Sequence, residues 1–328
     1  PRMCANYSTV NLDIATVFDH VAPIFDAIAG YDDAFATTME GYENDPYGPQ
    51  VNIHDEFVAY LGNRFSTITD YLTPITPHSE QFIYAIESSN PAALSKTLDK
   101  IMENDPDAKQ RELGNVKLWE IIDPQYDLDD LDLDTPSLDP LDTNDLGLDS
   151  QEEDEILPNS AICVAEGYLL IASDANYIRE LLAANEMSER LLNSVAYARV
   201  ETVMNKLAPG PRCGFSFARL DESLRPDYEL IREGKMPESE TTVGRLLNEL
   251  LTTETEEQEG LLRRQRIDGE KLPSFEMVRR YFGIAGRVMR SDKDGWMITG
   301  AILNKDGPCL LYTSAAADEG LGVALGGR

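Results

Sequence analysis

Seven residues near the start of the chain, Tyr7–Asp13 (YSTVNLD), return 208 positions later as Phe215–Asp221 (FSFARLD). Both copies read aromatic, Ser, three residues, Leu, Asp. In both, a strand-like run ends at the Asp and a helix-like run follows. Two more matches appear in the same order. Tyr60-Leu61-Gly62 precedes a strand-like run, as Tyr281-Phe282-Gly283 does, and the strand-like Phe82–Ile86 corresponds to Trp296–Ile302. A recurring order of strand, helix, loop, helix, strand, strand restricts the chain to a duplicated unit. The expected fold class is α+β: two related modules, each an antiparallel sheet with helices packed on one face.

The second module reads as truncated, because nothing after it corresponds to Asn90–Ala184. The composition changes instead to Ala, Gly and Leu over Gly307–Arg328, where CLLYTSAAADE resembles translated sequencing-adapter sequence in metagenomic reading frames. The expected organisation is a first module over 1–184 with an acidic disordered insertion at 123–158 and a connecting helix over 185–211. A second, incomplete copy follows over 212–306 with an inserted Glu-rich helix at 238–265, then an artefactual or disordered tail over 307–328.

Along the first module, Arg2–Val10 reads as a strand and Asp13 as the cap of a helix reaching Ala29. Ile14, Val17, Phe18, Val21, Ile24, Phe25 and Ile28 recur at helical spacing, and Pro23 predicts a kink or a break into two helices. Gly30–Gln50 is rich in Gly, Asp, Asn and Pro and reads as loop. Asn52 or Asp55 opens a second helix that Gly62 ends. Strands are expected over Phe65–Leu72 and Gln81–Glu87. Asn90-Pro91 starts a helix to about Asn104, with Leu94, Leu98, Ile101 and Met102 on one face. Hairpins are expected at Gly114-Asn115 and at Glu166-Gly167, and Ser173 or Asp174 caps a helix over Asn176–Ala184. In the second module, Arg212–Arg219 reads as a strand, Asp221 as a cap for a helix through Arg232, and Phe275–Phe282 as helical. Ile284–Met289 and Trp296–Leu303 form the closing hairpin.

Charge narrows the partners. The chain carries a formal net charge of −31. Such a surface repels phosphate backbones and anionic lipid, so nucleic acid is not the expected partner. Another protein or a cationic surface is. Residues 123–155 alone hold eleven Asp and three Glu with no Lys or Arg, a composition that cannot build a packed core. No apolar run is long enough to span a bilayer.

No motif signals chemistry. His20, His54 and His78 are the only histidines and lack metal-ligand spacing, so each reads as a surface or structural residue. There is no phosphate-binding loop, dinucleotide fingerprint or nucleophile elbow, and Gly286, Gly295 and Gly300 are too scattered to cradle a phosphate. Ser8 with Asp13, repeated as Ser216 with Asp221, reads as helix capping, with Leu12 and Leu220 anchoring each helix start in the core. The strongest calcium candidate starts at Asp142, with Asn144, Gly147 and Glu153 at EF-loop positions 3, 6 and 12; Leu146 at position 5 cannot ligate, and Asp149 stands at the usually apolar position 8. The leucines spaced along the same acidic stretch allow a second reading, a docking segment that folds on a partner. Cys4, Cys163, Cys213 and Cys309 form no CxxC pair. Free thiols are expected, with a Cys4–Cys213 disulfide as the alternative.

Phe82–Glu87, the NPAAL helix at Asn90–Met102, the hairpin at Leu113–Trp119 and YLLIASDANYIRELL at Tyr168–Leu182 together resemble a family of exported bacterial proteins defined as a domain of unknown function. The resemblance implies an envelope-attached, periplasmic or secreted location and transfers no catalytic, cofactor or metal residues. The acidic insertion departs from the family pattern. The functional expectation is a non-enzymatic extracytoplasmic structural or binding protein. The alternatives are a hydrolase with a dispersed site and an acidic calcium-dependent adhesion or scaffold module.

Overall fold

The computed structural model describes residues 4–122, 159–183, 190–236, 269–293 and 295–305. The acidic insertion, the calcium candidate at 142–153, the Glu-rich stretch at 238–265 and the tail from 307 lie outside them. The fold is α+β, with an antiparallel sheet of ten strands. In chain order the strands are β1 (Asn6–Asn11), β2 (Leu61–Tyr71), β3 (Glu80–Ser88), β4 (Ala108–Leu113), β5 (Val116–Ile122), β6 (Asn159–Ala165), β7 (Tyr168–Ala172), β8 (Gly214–Arg219), β9 (Ile284–Asp292) and β10 (Gly295–Leu303). They are hydrogen-bonded in the order β10-β9-β8-β1-β2-β3-β7-β6-β5-β4. The chain divides into two compact units that cut across sequence order.

One unit contains the described parts of 1–11, 65–82 and 181–328. Its centre is the β1–β8 ladder, where Tyr7 faces Phe217, Ser8 faces Ser216 and Thr9 faces Phe215. The register is self-consistent: adding 208 to each residue of β1 turns the pair Tyr7–Phe217 into Phe215–Thr9, also a pair. The two copies of the heptapeptide strand therefore lie side by side, antiparallel, about the Ser8–Ser216 pair. Helix α7 (Val195–Leu207), the seventh among the described residues, covers one face of this ladder and of β9. Tyr197, Val200 and Met204 recur at helical spacing and are buried against Phe215, Phe217, Ile284 and Val288. The Tyr197 ring meets Phe215 and Phe217 edge-on at 5.6 and 5.5 Å and Tyr7 at 6.4 Å. The repeated aromatic of the motif thus packs on one helix from both strands. Gly286 permits this contact, since a Cβ there would stand 2.2 Å from Val200 Cγ1.

In the same unit, α8 (Leu220–Ser223) and α9 (Arg225–Glu233) follow β8, and α10 (Phe275–Val278) precedes β9. The single helix expected through Arg232 is divided at Leu224, where Pro226 in the first turn of α9 needs no N–H partner. The Cys4–Cys213 alternative is not realised: Cys4, Cys163 and Cys213 are free thiols, and the Cys213 thiol faces Met289 O at 3.4 Å. Burial pushes the Cys4 thiol up to about 11 and the Cys163 thiol up to about 12.

The other unit contains the described parts of 12–64 and 83–180. Helix α5 (Pro91–Met102) is capped by Asn90, whose side chain accepts the Ala93 N–H. Leu94 and Leu98 carry it onto Trp119 of β5 and Leu169 of β7. Asp99 on the same helix accepts from Trp119 Nε1 at 2.8 Å and from Lys117 Nζ at 2.8 Å, so both carboxylate oxygens are satisfied. The β4–β5 and β6–β7 hairpins turn where expected, with Gly114, Glu166 and Gly167 at positive φ. Asp174 accepts the Asn176 N–H at the start of α6 (Ala175–Ala183).

Three local expectations are corrected in this unit. Gly30–Gln50 is not a loop throughout: Ala34–Asn44 forms a helix, α3, because its Ala, Phe, Thr and Met run has helix-forming length and Pro46 and Pro49 fall beyond it. Gly62 does not end a helix. The second helix is only α4 (Ile53–Glu56) with a 3-10 turn at Val58–Tyr60, and Gly62 already belongs to β2. A Cβ at Gly62 would sit 3.1 Å from Glu87 O in β3. Gly283 has the same role more severely, with a Cβ only 1.9 Å from Leu303 O at the end of β10. Finally, Leu12 is 40% exposed and anchors nothing in the core.

Candidate functional site

The first helical run breaks near Pro23 into α1 (Ile14–His20) and α2 (Ala22–Ala29), as its sequence predicts. Val21 between them keeps right-handed helical angles, φ −78 and ψ −22, so the face carries through. Neither helix has a buried residue. Phe18 and Phe25 lean on Phe35 of α3, at ring distances of 5.3 and 5.7 Å. Val17, Ile24 and Ile28 lie about a quarter-turn away on the wheel. At about 100° per residue the spacings of seven and eleven bring these three within about 40° of one another. They are 45%, 62% and 83% exposed.

The carboxylates of these helices lie on the opposite side of the wheel and meet neighbouring segments. Asp26 accepts the Phe35 N–H at 2.8 Å, and Asp19 stands 3.3 Å from His54 Nε2. The Asp19 side chain is itself 52% exposed, so the aliphatic stripe and a solvated carboxylate occupy opposite sides of the same helices. Tyr31 and Tyr47 are also exposed, at 58% and 92%. Residues 12–56 contain ten Asp and Glu and no Lys or Arg. An exposed aliphatic stripe in an anionic field is what a cationic amphipathic segment would complement.

The histidines do not assemble a catalytic group with the motif residues. His54 holds carboxylates at both ring nitrogens, Asp55 at 2.6 Å on Nδ1 and Asp19 on Nε2. The hydrogen bond to Asp55 raises its pKa above 6.5, and the Asp19 charge adds to this. With both nitrogens occupied, its ring acts as a tie between α1 and α4. His20 Nδ1 stands 2.7 Å from Thr16 O on its own helix, and His78 is exposed in the β2–β3 connection. Ser8 shares a hydrogen bond with Thr67 at 2.6 Å, and Ser216 accepts from Arg287 at 3.3 Å.

Asp13 caps α1 as expected, accepting the Thr16 N–H at 3.2 Å. Asp221 corrects the expectation. It is not a cap: Arg219 precedes the helix, and Asp221 lies in its first turn, 1% exposed. Its Oδ2 accepts from Arg279 Nε at 3.3 Å and pairs with Lys305, while Oδ1 is buried without a partner. Arg279 also pairs with Glu222. Sequence reasoning missed this network because its members lie 58 and 84 residues apart.

Among the described residues no group of three or more His, Cys, Asp or Glu is placed to hold a metal ion, and no helix is long and apolar enough to cross a membrane. Comparison with protein-family models, curated proteins and solved structures returned no match, so the functional reading rests on this chain's own residues.

Proposed function

We propose that the chain is a non-enzymatic, extracytoplasmic binding protein that receives a cationic amphipathic segment of another protein on α1–α2. The observation that carries this reading is the outward stripe Val17–Ile24–Ile28 in a stretch of ten carboxylates without a Lys or Arg. Three exposed aliphatic side chains favour an apolar contact. The surrounding charge favours a basic partner and disfavours a second copy of the same surface. The extracytoplasmic location is the one part of the proposal carried by the sequence pattern of residues 82–182, which resembles exported bacterial proteins, and not by the structure. The self-consistent β1–β8 register and the parallel roles of Gly62 and Gly283 support reading the chain as a duplicated module.

The test is calorimetric titration with two designed amphipathic helical peptides of equal hydrophobicity, one with Lys and one with Glu on the polar face. The Lys peptide should bind saturably, and more weakly at high salt. Ile24→Asp with Ile28→Asp, both at exposed positions, should reduce its affinity about tenfold or more. Equal binding of both peptides, or no binding of either, would remove the reading.

A further inference from the structure

The strand β10 lies at one end of the sheet order, and among the described residues it has a strand partner, β9, on one side only. It runs for nine residues, GWMITGAIL, without a charged side chain or a proline. Edge strands ordinarily carry such residues to discourage pairing. One face of β10 is already anchored, since Ala301 and Leu303 pack against the α7 core. The alternate positions point the other way: Trp296, Ile298 and Ile302 are 78%, 59% and 74% exposed. Among the described residues the strand is thus held in extended form with an open backbone edge and an exposed apolar row.

Its counterpart shows what such an edge takes. Counting outward from β8, β10 is third, as β3 is third counting outward from β1. On its far side β3 carries β7, antiparallel, with Ile83 facing Ala172, Ala85 facing Leu170 and Glu87 facing Tyr168. We infer that the free edge of β10 is a strand-addition site for an uncharged aliphatic segment laid antiparallel on it, of the chemistry of YLLIA in β7. Main-chain hydrogen bonds would supply affinity and the Trp296–Ile298–Ile302 row the side-chain selection. A second copy of the chain could align β10 with β10, but each copy brings a formal charge of −31, which opposes that pairing and favours an uncharged strand. This surface shares no residue with the α1–α2 stripe, so either proposal can fail alone.

The experiment uses the whole chain and a capped synthetic peptide of residues 167–173, GYLLIAS. The chain has two tryptophans: Trp119 is 4% exposed and Trp296 78%, so an emission shift reports on β10. Peptide addition should move the emission saturably to shorter wavelength. Trp296→Phe should abolish the shift, and Ile298→Lys should weaken binding about tenfold or more with an unchanged melting temperature. The same peptide with Pro at its central Leu should not bind, which tests the backbone pairing independently of any chain variant. Absence of a saturable shift, or equal binding of the Pro peptide, would overturn the inference. A concentration-dependent dimer in sedimentation that Ile298→Lys dissolves would also overturn it, by assigning the edge to a second copy.

Discussion

At the first strand-to-helix junction, Asp13 lies at the surface and its carboxylate takes a single backbone N–H, that of Thr16. At the second, Asp221 occupies the same place in the motif but is 1% exposed and held by Arg279 and Lys305. The two junctions share a pattern of seven residues, yet one Asp serves its own helix and the other ties together three distant pieces of chain. The difference comes from what arrives around them. The helix after Asp13 faces water on its aliphatic side. The helix that contains Asp221 is only four residues long and lies against segments that bring two cations. A motif can therefore preserve a backbone path while the side chain at its end changes function.

The largest expected effect tests that contrast directly. Asp221→Ala leaves Arg279 and Lys305 facing a space that excluded water, and should cost about 3 kcal/mol. Asp13→Ala removes one exposed cap and should cost about 1 kcal/mol or less. Urea unfolding of the two variants measures both, and equal costs would erase the distinction. The paired glycines come next. Gly283→Ala places a methyl 1.9 Å from Leu303 O and requires the β9–β10 hairpin to shift, at about 2 to 3 kcal/mol. Gly62→Ala meets Glu87 O at 3.1 Å, a contact that yields by a few tenths of an ångström, and should cost well below 1 kcal/mol. Thermal melts of the two variants decide whether the approach at Gly283 is the tighter of the two.

The smallest effect concerns His54, the tie between α1 and α4. Its folded pKa lies above 6.5, chiefly through the hydrogen bond with Asp55. Because the folded value is raised, the stabilisation is complete below about pH 6.5 and is lost as pH rises through the higher folded value. An NMR titration should place His54 above 6.5, and Asp55→Asn should lower it. A His54 midpoint that Asp55→Asn leaves unchanged would mean that the pairing does not form in solution.

Much of the fold was legible from local rules. Pro23 announced the break between α1 and α2, Asn90-Pro91 the start of α5, and Gly114-Asn115 and Glu166-Gly167 the hairpins, because each is decided by backbone preferences of adjacent residues. The α3 helix was not legible, since Gly and Asp around it suggested loop while its interior met helical requirements. The candidate site was half legible. The helical spacing of the seven apolar residues from Ile14 to Ile28 was read correctly, but it did not separate Val17, Ile24 and Ile28, which are exposed, from Phe18 and Phe25, which lean on Phe35. Periodicity reports that residues share a side, and apolar composition made the core the expected neighbour. Only the placement of Phe35 and of the carboxylates revealed that the stripe looks outward.

The sequence alone determined that two strand-to-helix units recur in order and that the chain is α+β, because side-chain period, caps and turn residues act over a few positions. Tertiary structure decided that the two repeated strands pair with each other about Ser8 and Ser216. It decided that Asp221 is buried between Arg279 and Lys305, and that Trp296, Ile298 and Ile302 are exposed on β10, the last strand of the sheet order among the described residues. Those outcomes depend on which surfaces meet across tens to hundreds of residues. No local pattern in the chain encodes which side of a strand or helix will find a partner.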